Sequence, residues 1–179
     1  SMEVRGGLIN IPTRLVAGDT ENISFAVENA GLLPSKGFDY QVVQVTDGVE
    51  TEIAKEHLDA VLNAGEDMDI TVPWTIPENI SGTEIKVTVT ETGVDRGTPY
   101  KTSRKVPYRS KLSFGETQVL WDGQKPYVST IVKNIGNAAS KAYKGVLAAV
   151  DEDGNEKTIY QDFDLTSLAS GEEKELTLP

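Results

Sequence analysis

The sequence contains no cysteine. Disulfides, thiolate metal sites and cysteine nucleophiles are excluded at once. There is one histidine, His57. A zinc site would need carboxylates for all its other ligands, and a Ser-His-Asp triad would have to use this same residue. No Gly-x-Ser-x-Gly elbow accompanies it, so His57 is read as solvent-facing in a loop. No apolar run approaches the roughly 20 residues that a membrane-spanning helix needs. No glycine-rich phosphate loop occurs, because Arg5-Gly6-Gly7 opens no helix. No secretory signal opens the chain. Positive charge is scarce as well: 17 basic residues stand against 28 acidic ones, a net charge of −11. A sequence-independent hold on nucleic acid or adhesion to anionic lipid rests on clustered Lys and Arg, and both are disfavoured. No cofactor is implied.

What is present is a repeat. Val27, Asn29, Gly31, Ser35 and Lys36 recur 105 residues later as Val132, Asn134, Gly136, Ser140 and Lys141. After one inserted residue the shift becomes 106. Asp47, Gly48, Glu50 and Ile53 then match Asp153, Gly154, Glu156 and Ile159, and Leu62, Gly65, Glu66, Thr71 and Pro73 match Leu168, Gly171, Glu172, Thr177 and Pro179. Agreement at turn and strand positions together implies two related domains, 1–108 and 109–179.

Strand signals fill the first domain. Residues 3–16 read as a strand broken near Pro12. Ile23, Phe25 and Val27 alternate with Ser24, Ala26 and Glu28, as a half-buried strand requires. Asn29-Ala30-Gly31 closes it as a structural corner, with Gly31 expected at positive φ. Residues 38–46 form a second strand, Asp47-Gly48 a tight hairpin turn, and 49–54 its partner. Leu58, Val61 and Leu62 fall at helical spacing, so 55–63 is read as a helical turn. Met68, Ile70, Val72 and Trp74 share a face, which makes Trp74 a core residue. Another strand follows at 85–89, then a loop over 91–99. A polar edge strand covers 100–106, guarded by Lys101, Arg104 and Lys105. About seven strands spaced by turns indicate an all-β, immunoglobulin-like antiparallel sandwich.

The second domain runs in the same order: strands over 112–119, 126–133, 142–150, 156–160 and 172–178. It is read as a second immunoglobulin-like sandwich truncated after its fifth strand. Two absent strands would forfeit on the order of 10 kcal/mol of apolar burial. The gap is therefore expected to be filled: by a neighbouring molecule, by docking on the first domain, or by a smaller rearranged sheet. Self-association through this incomplete sandwich is one such route.

Few residues suggest chemistry. Asp151-Glu152-Asp153-Gly154-Asn155-Glu156 is the densest acidic cluster. Asp151, Asp153 and Asn155 are candidate calcium ligands, although the segment lacks EF-hand spacing and its Asp-Gly matches a plain hairpin turn. The acids elsewhere scatter over strand faces and turns. Tyr100, Tyr108, Trp121 and Tyr127 are candidates for a stacking surface.

In the first domain the succession is Ala17-Gly18-Asp19, an alternating strand, Asn29-x-Gly31, Asp47-Gly48, then Leu62-x-Ala64-Gly65-Glu66 leading into a strand. In the second, Asp122-Gly123-Gln124 replaces the first turn and Leu168-Ala169-Ser170-Gly171-Glu172 stands at the last. The succession resembles the bacterial cell-adhesion-related (CARDB) domains and their immunoglobulin-like relatives. That resemblance implies a non-catalytic module of a secreted or surface-anchored bacterial protein, a spacer or adhesion element whose partner is another surface protein or a glycan. It transfers no catalytic residue. The rival expectation is a carbohydrate-binding accessory module of a secreted enzyme, using the four aromatics named above.

Overall fold

The structure, a computed structural model, describes residues 1–94 and 97–179. The loop expected over 91–99 contains Asp95 and Arg96, which lie outside the described residues. The chain divides into two compact units, Ser1–Tyr108 and Arg109–Pro179.

The first unit has seven strands: β1 (Met2–Val4), β2 (Thr20–Asn29), β3 (Phe38–Thr46), β4 (Val49–Leu58), β5 (Asp67–Thr75), β6 (Thr83–Glu91) and β7 (Tyr100–Lys105). They form two antiparallel sheets, ordered β1-β2-β5 and β4-β3-β6-β7. Period-two alternation does the sorting. Ile23, Phe25 and Val27 of β2 lie opposite Val72, Ile70 and Met68 of β5. In the other sheet Tyr40 and Val42 lie opposite Val89 and Val87. All join one buried cluster or pack against it, which makes the unit a sandwich. Phe25 and Tyr40 meet edge to face at 5.7 Å and 79°, a favoured aromatic geometry. Trp74 is buried, and its Nε1–H donates to Gln44 Oε1 at 3.0 Å.

Asp47 (φ 51°) and Gly48 (φ 77°) form the two-residue loop between β3 and β4. Both angles are positive, as the primed hairpin turn demands, and Asp-Gly supplies them at least strain. At the other edge, β7 carries Lys101, Arg104 and Lys105 as expected.

Three local expectations give way. Residues 55–63 form no helical turn: β4 runs on to Leu58, directly opposite Phe38. Three apolar residues at helical spacing cannot nucleate a helix, whereas β3 offers a ready ladder. The first segment breaks earlier than Pro12. After Val4 the chain turns through Arg5–Gly7, where Gly6 and Gly7 take φ of 62° and 65°. It then touches β2 again at an Asn10–Ser24 bridge. Gly31 is not at positive φ. Its glycine is required by close approach instead, since a Cβ there would lie 2.7 Å from the Ser1 backbone nitrogen.

The second unit holds β8 (Leu112–Phe114), β9 (Gln118–Asp122), β10 (Lys125–Asn134), β11 (Tyr143–Val150), β12 (Glu156–Leu165) and β13 (Glu173–Leu178). The single strand expected over 112–119 is therefore two, both paired with β10. One sheet has the order β13-β10-β8 with β9 also on β10, and β11 pairs with β12 in another. Among the described residues β11 has no second neighbour, whereas β3 has β4 on one side and β6 on the other. The core is correspondingly thin: the buried hydrophobic residues of this unit are Val132, Leu168 and Leu178.

Candidate binding surface

Each unit contains the same corner. Asn29 is fully buried at the end of β2, and its Nδ2 donates to Leu33 O (2.7 Å) and Leu62 O (2.9 Å). Asn134, fully buried at the end of β10, donates to Ala138 O (2.7 Å) and Leu168 O (3.0 Å). The Gly31 N–H donates to Asn29 Oδ1 and the Gly136 N–H to Asn134 Oδ1, both at 3.0 Å. Leu62 N–H donates to Ser35 Oγ and Leu168 N–H to Ser140 Oγ, both at 2.9 Å. The repeat read from the sequence is thus a repeat of atoms. The hydrogen bonds dictate the residue type, because only a short amide can donate twice and accept once inside so tight a turn.

The preceding segment meets this corner in both units. Ala30 N–H donates to Ser1 O (2.8 Å), and Ile135 N–H donates to Lys111 O (2.8 Å). A Cβ on Gly136 would collide with the backbone of Arg109, Ser110 and Lys111. The glycine of Asn-x-Gly therefore makes room for incoming chain.

Beyond the corner the two copies differ. In the second unit the next residues are Asn137, buried and accepting from Arg109 N–H at 2.7 Å, and Ala138. In the first they are Leu32, 93% exposed, and Leu33, 78% exposed. The hydrogen bonds of the buried asparagine are the same with either pair, although only in the second unit do the next two N–H groups, of Asn137 and Ala138, also donate to Arg109 O (3.0 and 3.2 Å). They border an open groove of about 920 Å³ with Pro34, Val94, Pro99 and Tyr100. Such a volume is within the range of binding sites. No expectation above singled these leucines out. The signal was available in the repeat alignment, which sets two large apolar residues against Asn137 and Ala138 at loop positions where burial cannot account for them.

His57 is exposed, as expected, but on β4 and not in a loop. Its Nδ1 lies 2.5 Å from Asp39 Oδ1 and its Nε2 2.8 Å from Asp59 Oδ1. Hydrogen bonds to Asp39 and then Asp59 hold the imidazole pKa above its ordinary 6.5. No serine or other nucleophile faces it in these contacts, and the ring nitrogens are both spent on carboxylates. The chemistry open to it is proton uptake that ties the end of β4 to β3.

No family model matches the chain, and no curated protein matches it. Among solved structures the crystal structure of red sea bream transglutaminase is similar at a TM-score of 0.45 and 14% identity, over 96% of this chain and 26% of that one. A likeness that slight transfers neither fold nor activity.

The acidic cluster is a turn. Asp151 Oδ1 accepts from Asp153 N–H (3.0 Å) and Asn155 N–H (2.9 Å), and these bonds, the Asn155 one foremost, hold its pKa below the usual value. Among the described residues no three His, Cys, Asp or Glu side chains gather as a metal group would. The four aromatics are not aligned within either unit. Tyr100 lies opposite Val89 on the inner face and packs against the core. Tyr108 is exposed just past β7. Trp121 lies opposite Pro126, while Tyr127 lies opposite Leu120. Since 126 and 127 are neighbours on one strand, Trp121 and Tyr127 project to opposite faces.

Proposed function

We propose that this chain is a non-catalytic module of a bacterial secreted or surface protein, a spacer that also binds another protein through the Leu32–Leu33 groove of its first unit. The observation that carries this reading is the contrast between the two corners. The buried asparagine bonds alike in both, yet one turn presents two leucines to solvent, where the other ties Asn137 and Ala138 to Arg109. Exposed apolar pairs that folding does not require are characteristic of interaction sites. A polypeptide partner fits better than a glycan, because the groove sets leucine, proline and valine beside Glu3, Lys36 and Glu91 and holds a single aromatic, Tyr100, not a row of platforms. The spacer role draws on the seating of incoming backbone against a buried Asn-x-Gly corner in each unit.

The test uses beads coated with the whole chain, or with its Leu32→Asp/Leu33→Asp variant, on bacterial and host cell surfaces, beside a glycan array. Attachment that the double variant loses, with the array silent, supports the reading. Equal attachment by both proteins, or array binding that depends on Trp121, overturns it.

A further inference from the structure

We propose that the free edge of β7 is a docking site for an acidic stretch of extended polypeptide from another protein, which adds to the β4-β3-β6-β7 sheet as one more strand. The inference does not rest on the Leu32–Leu33 groove, with which β7 shares Tyr100 alone.

The backbone supplies the first half of the site. β7 pairs with β6 and has no other strand neighbour among the described residues. An antiparallel strand turns alternate N–H and C=O pairs to either side, so half of those on β7 face away from β6. None of these meets another backbone group among the described residues. The β6–β7 ladder runs from Val89–Tyr100 to Glu84–Lys105 without a register shift, so the edge is regular. It is also held from behind. Thr102 lies opposite Val87 and Arg104 opposite Ile85, both core residues. The Thr102 hydroxyl donates to Gly7 O and Arg104 Nη1 to Ile9 O, each at 2.8 Å. Arg104 is thus an anchor on the inner face and not part of the guard. An edge fixed in place beforehand loses little freedom when a partner joins it.

The side chains supply the second half. Lys101, Ser103 and Lys105 alternate with those anchors and are exposed on the outer face. Lys86 of β6 lies opposite Ser103 and joins them. Its contact with Glu50 is long, at 3.7 Å. Lys101 and Lys105 have no ion-pair partner among the described residues. One acid, Glu84 opposite Lys105, shares this part of the face. Three lysines against one glutamate reverse the sign of a chain whose net charge is −11. Lysines on an edge turn away strands of like charge. The same lysines select a strand that carries acids.

Residues directly opposite in a ladder share a face. The partner therefore sets acids at every second position, along the row of Lys101, Ser103 and Lys105. A polypeptide suits the edge better than an anionic glycan, because one ladder satisfies its donors and acceptors together. A second copy suits it less. β4, the other edge of the same sheet, is bulged where it passes Val42 and Val43, and β5 carries Pro73, which has no N–H to give a ladder. Two copies also bring the same negative charge.

The test titrates the whole chain with an end-capped peptide of alternating Thr and Glu, and with its Thr-Lys counterpart, and maps contact by amide hydrogen exchange. The Glu peptide should bind, less tightly as salt rises, and should slow exchange within 100–105. Lys101→Glu/Lys105→Glu changes exposed positions, so folding should survive, as a melting curve checks. It should bind the Glu peptide about tenfold or more weakly and turn to the Lys peptide. Leu32→Asp/Leu33→Asp should bind the Glu peptide as the parent chain does, which separates this edge from the groove. Equal binding of both peptides, exchange in 100–105 left unchanged, or a lysine double variant that binds undiminished overturns the proposal. So does alginate binding the edge more tightly than the peptide, a dimer held by the two lysines, or no binding at all.

Discussion

Replacing Asn29 by alanine should be among the most damaging single changes in the first unit. Asn29 is fully buried, and its amide makes three hydrogen bonds: two donated, to Leu33 O and Leu62 O, and one accepted from Gly31 N–H. A buried polar group left unpaired costs about 1–3 kcal/mol. Leu33 and Gly31 lie where water can reach, so their carbonyl and N–H recover part of that cost. The bond to Leu62 O is buried and recovers little. The sum is about 3–4 kcal/mol, a large share of the 5–15 kcal/mol typical of a domain. For a unit of this size the melting temperature should fall by about 12 °C or more. The assay is urea and thermal unfolding followed by Trp74 in a Trp121→Phe background, so that fluorescence reports the first unit alone. Asn29→Asp sharpens the test. It keeps the acceptor for Gly31 N–H but turns a carboxylate oxygen toward two carbonyls. Its folded pKa should therefore be raised, its stability highest when the new acid is protonated and lost as pH rises through that folded pKa. At neutral pH it should be worse than alanine, and below about pH 4 it should recover. A loss under about 1 kcal/mol for Asn29→Ala, or an Asp variant insensitive to pH, would refute the account of the corner.

Three further outcomes are expected. Leu32→Asp/Leu33→Asp should leave thermal stability within about 0.5 kcal/mol, because neither side chain is buried, while abolishing attachment in the bead assay. The histidine cluster should make the first unit slightly more stable on the acid side: the folded pKa of His57 is raised, so its contribution is full below about 6.5 and fades as pH climbs through the higher folded value. His57→Gln should flatten that slope in a series of urea midpoints, and an unchanged slope would remove the role. Millimolar calcium should not shift the melting of the second unit, since the Asp151 carboxylate already serves the Asp153 and Asn155 N–H groups; a clear upward shift would restore the cluster as a cation site.

Features set by local chemistry were legible in the chain. The Asp47-Gly48 hairpin needed two consecutive positive φ values, and those residue types announce them. The Asn-x-Gly corner was visible because it occurs twice, and the buried Trp74 because Met68, Ile70 and Val72 share its period. Features set by tertiary pairing were not. Residues 55–63 carry a faint helical spacing at Leu58, Val61 and Leu62, and only pairing with β3 makes 55–58 strand. Asn-x-Gly in sequence points to a positive φ at Gly31, whereas the close approach of Ser1 that requires the glycine cannot be seen there. Trp121 looked like a partner for Tyr127 until its register against Pro126 set the two on opposite faces. The Leu32–Leu33 pair lay in plain view, but its meaning came from comparison with Asn137 and Ala138 once the matching hydrogen bonds had aligned them.

The brevity of β1 has a mechanical consequence. It joins β2 through only three residue pairs, so tension applied along the chain should part this ladder before the longer ones. The 15 residues between β1 and β2 would not then run out freely, because Ile9, Ile11 and Leu15 are seated in the core. A first yield would stop against those plugs, and only their extraction would release the full slack of roughly 50 Å. The first unit is thus built to give way in two stages under load.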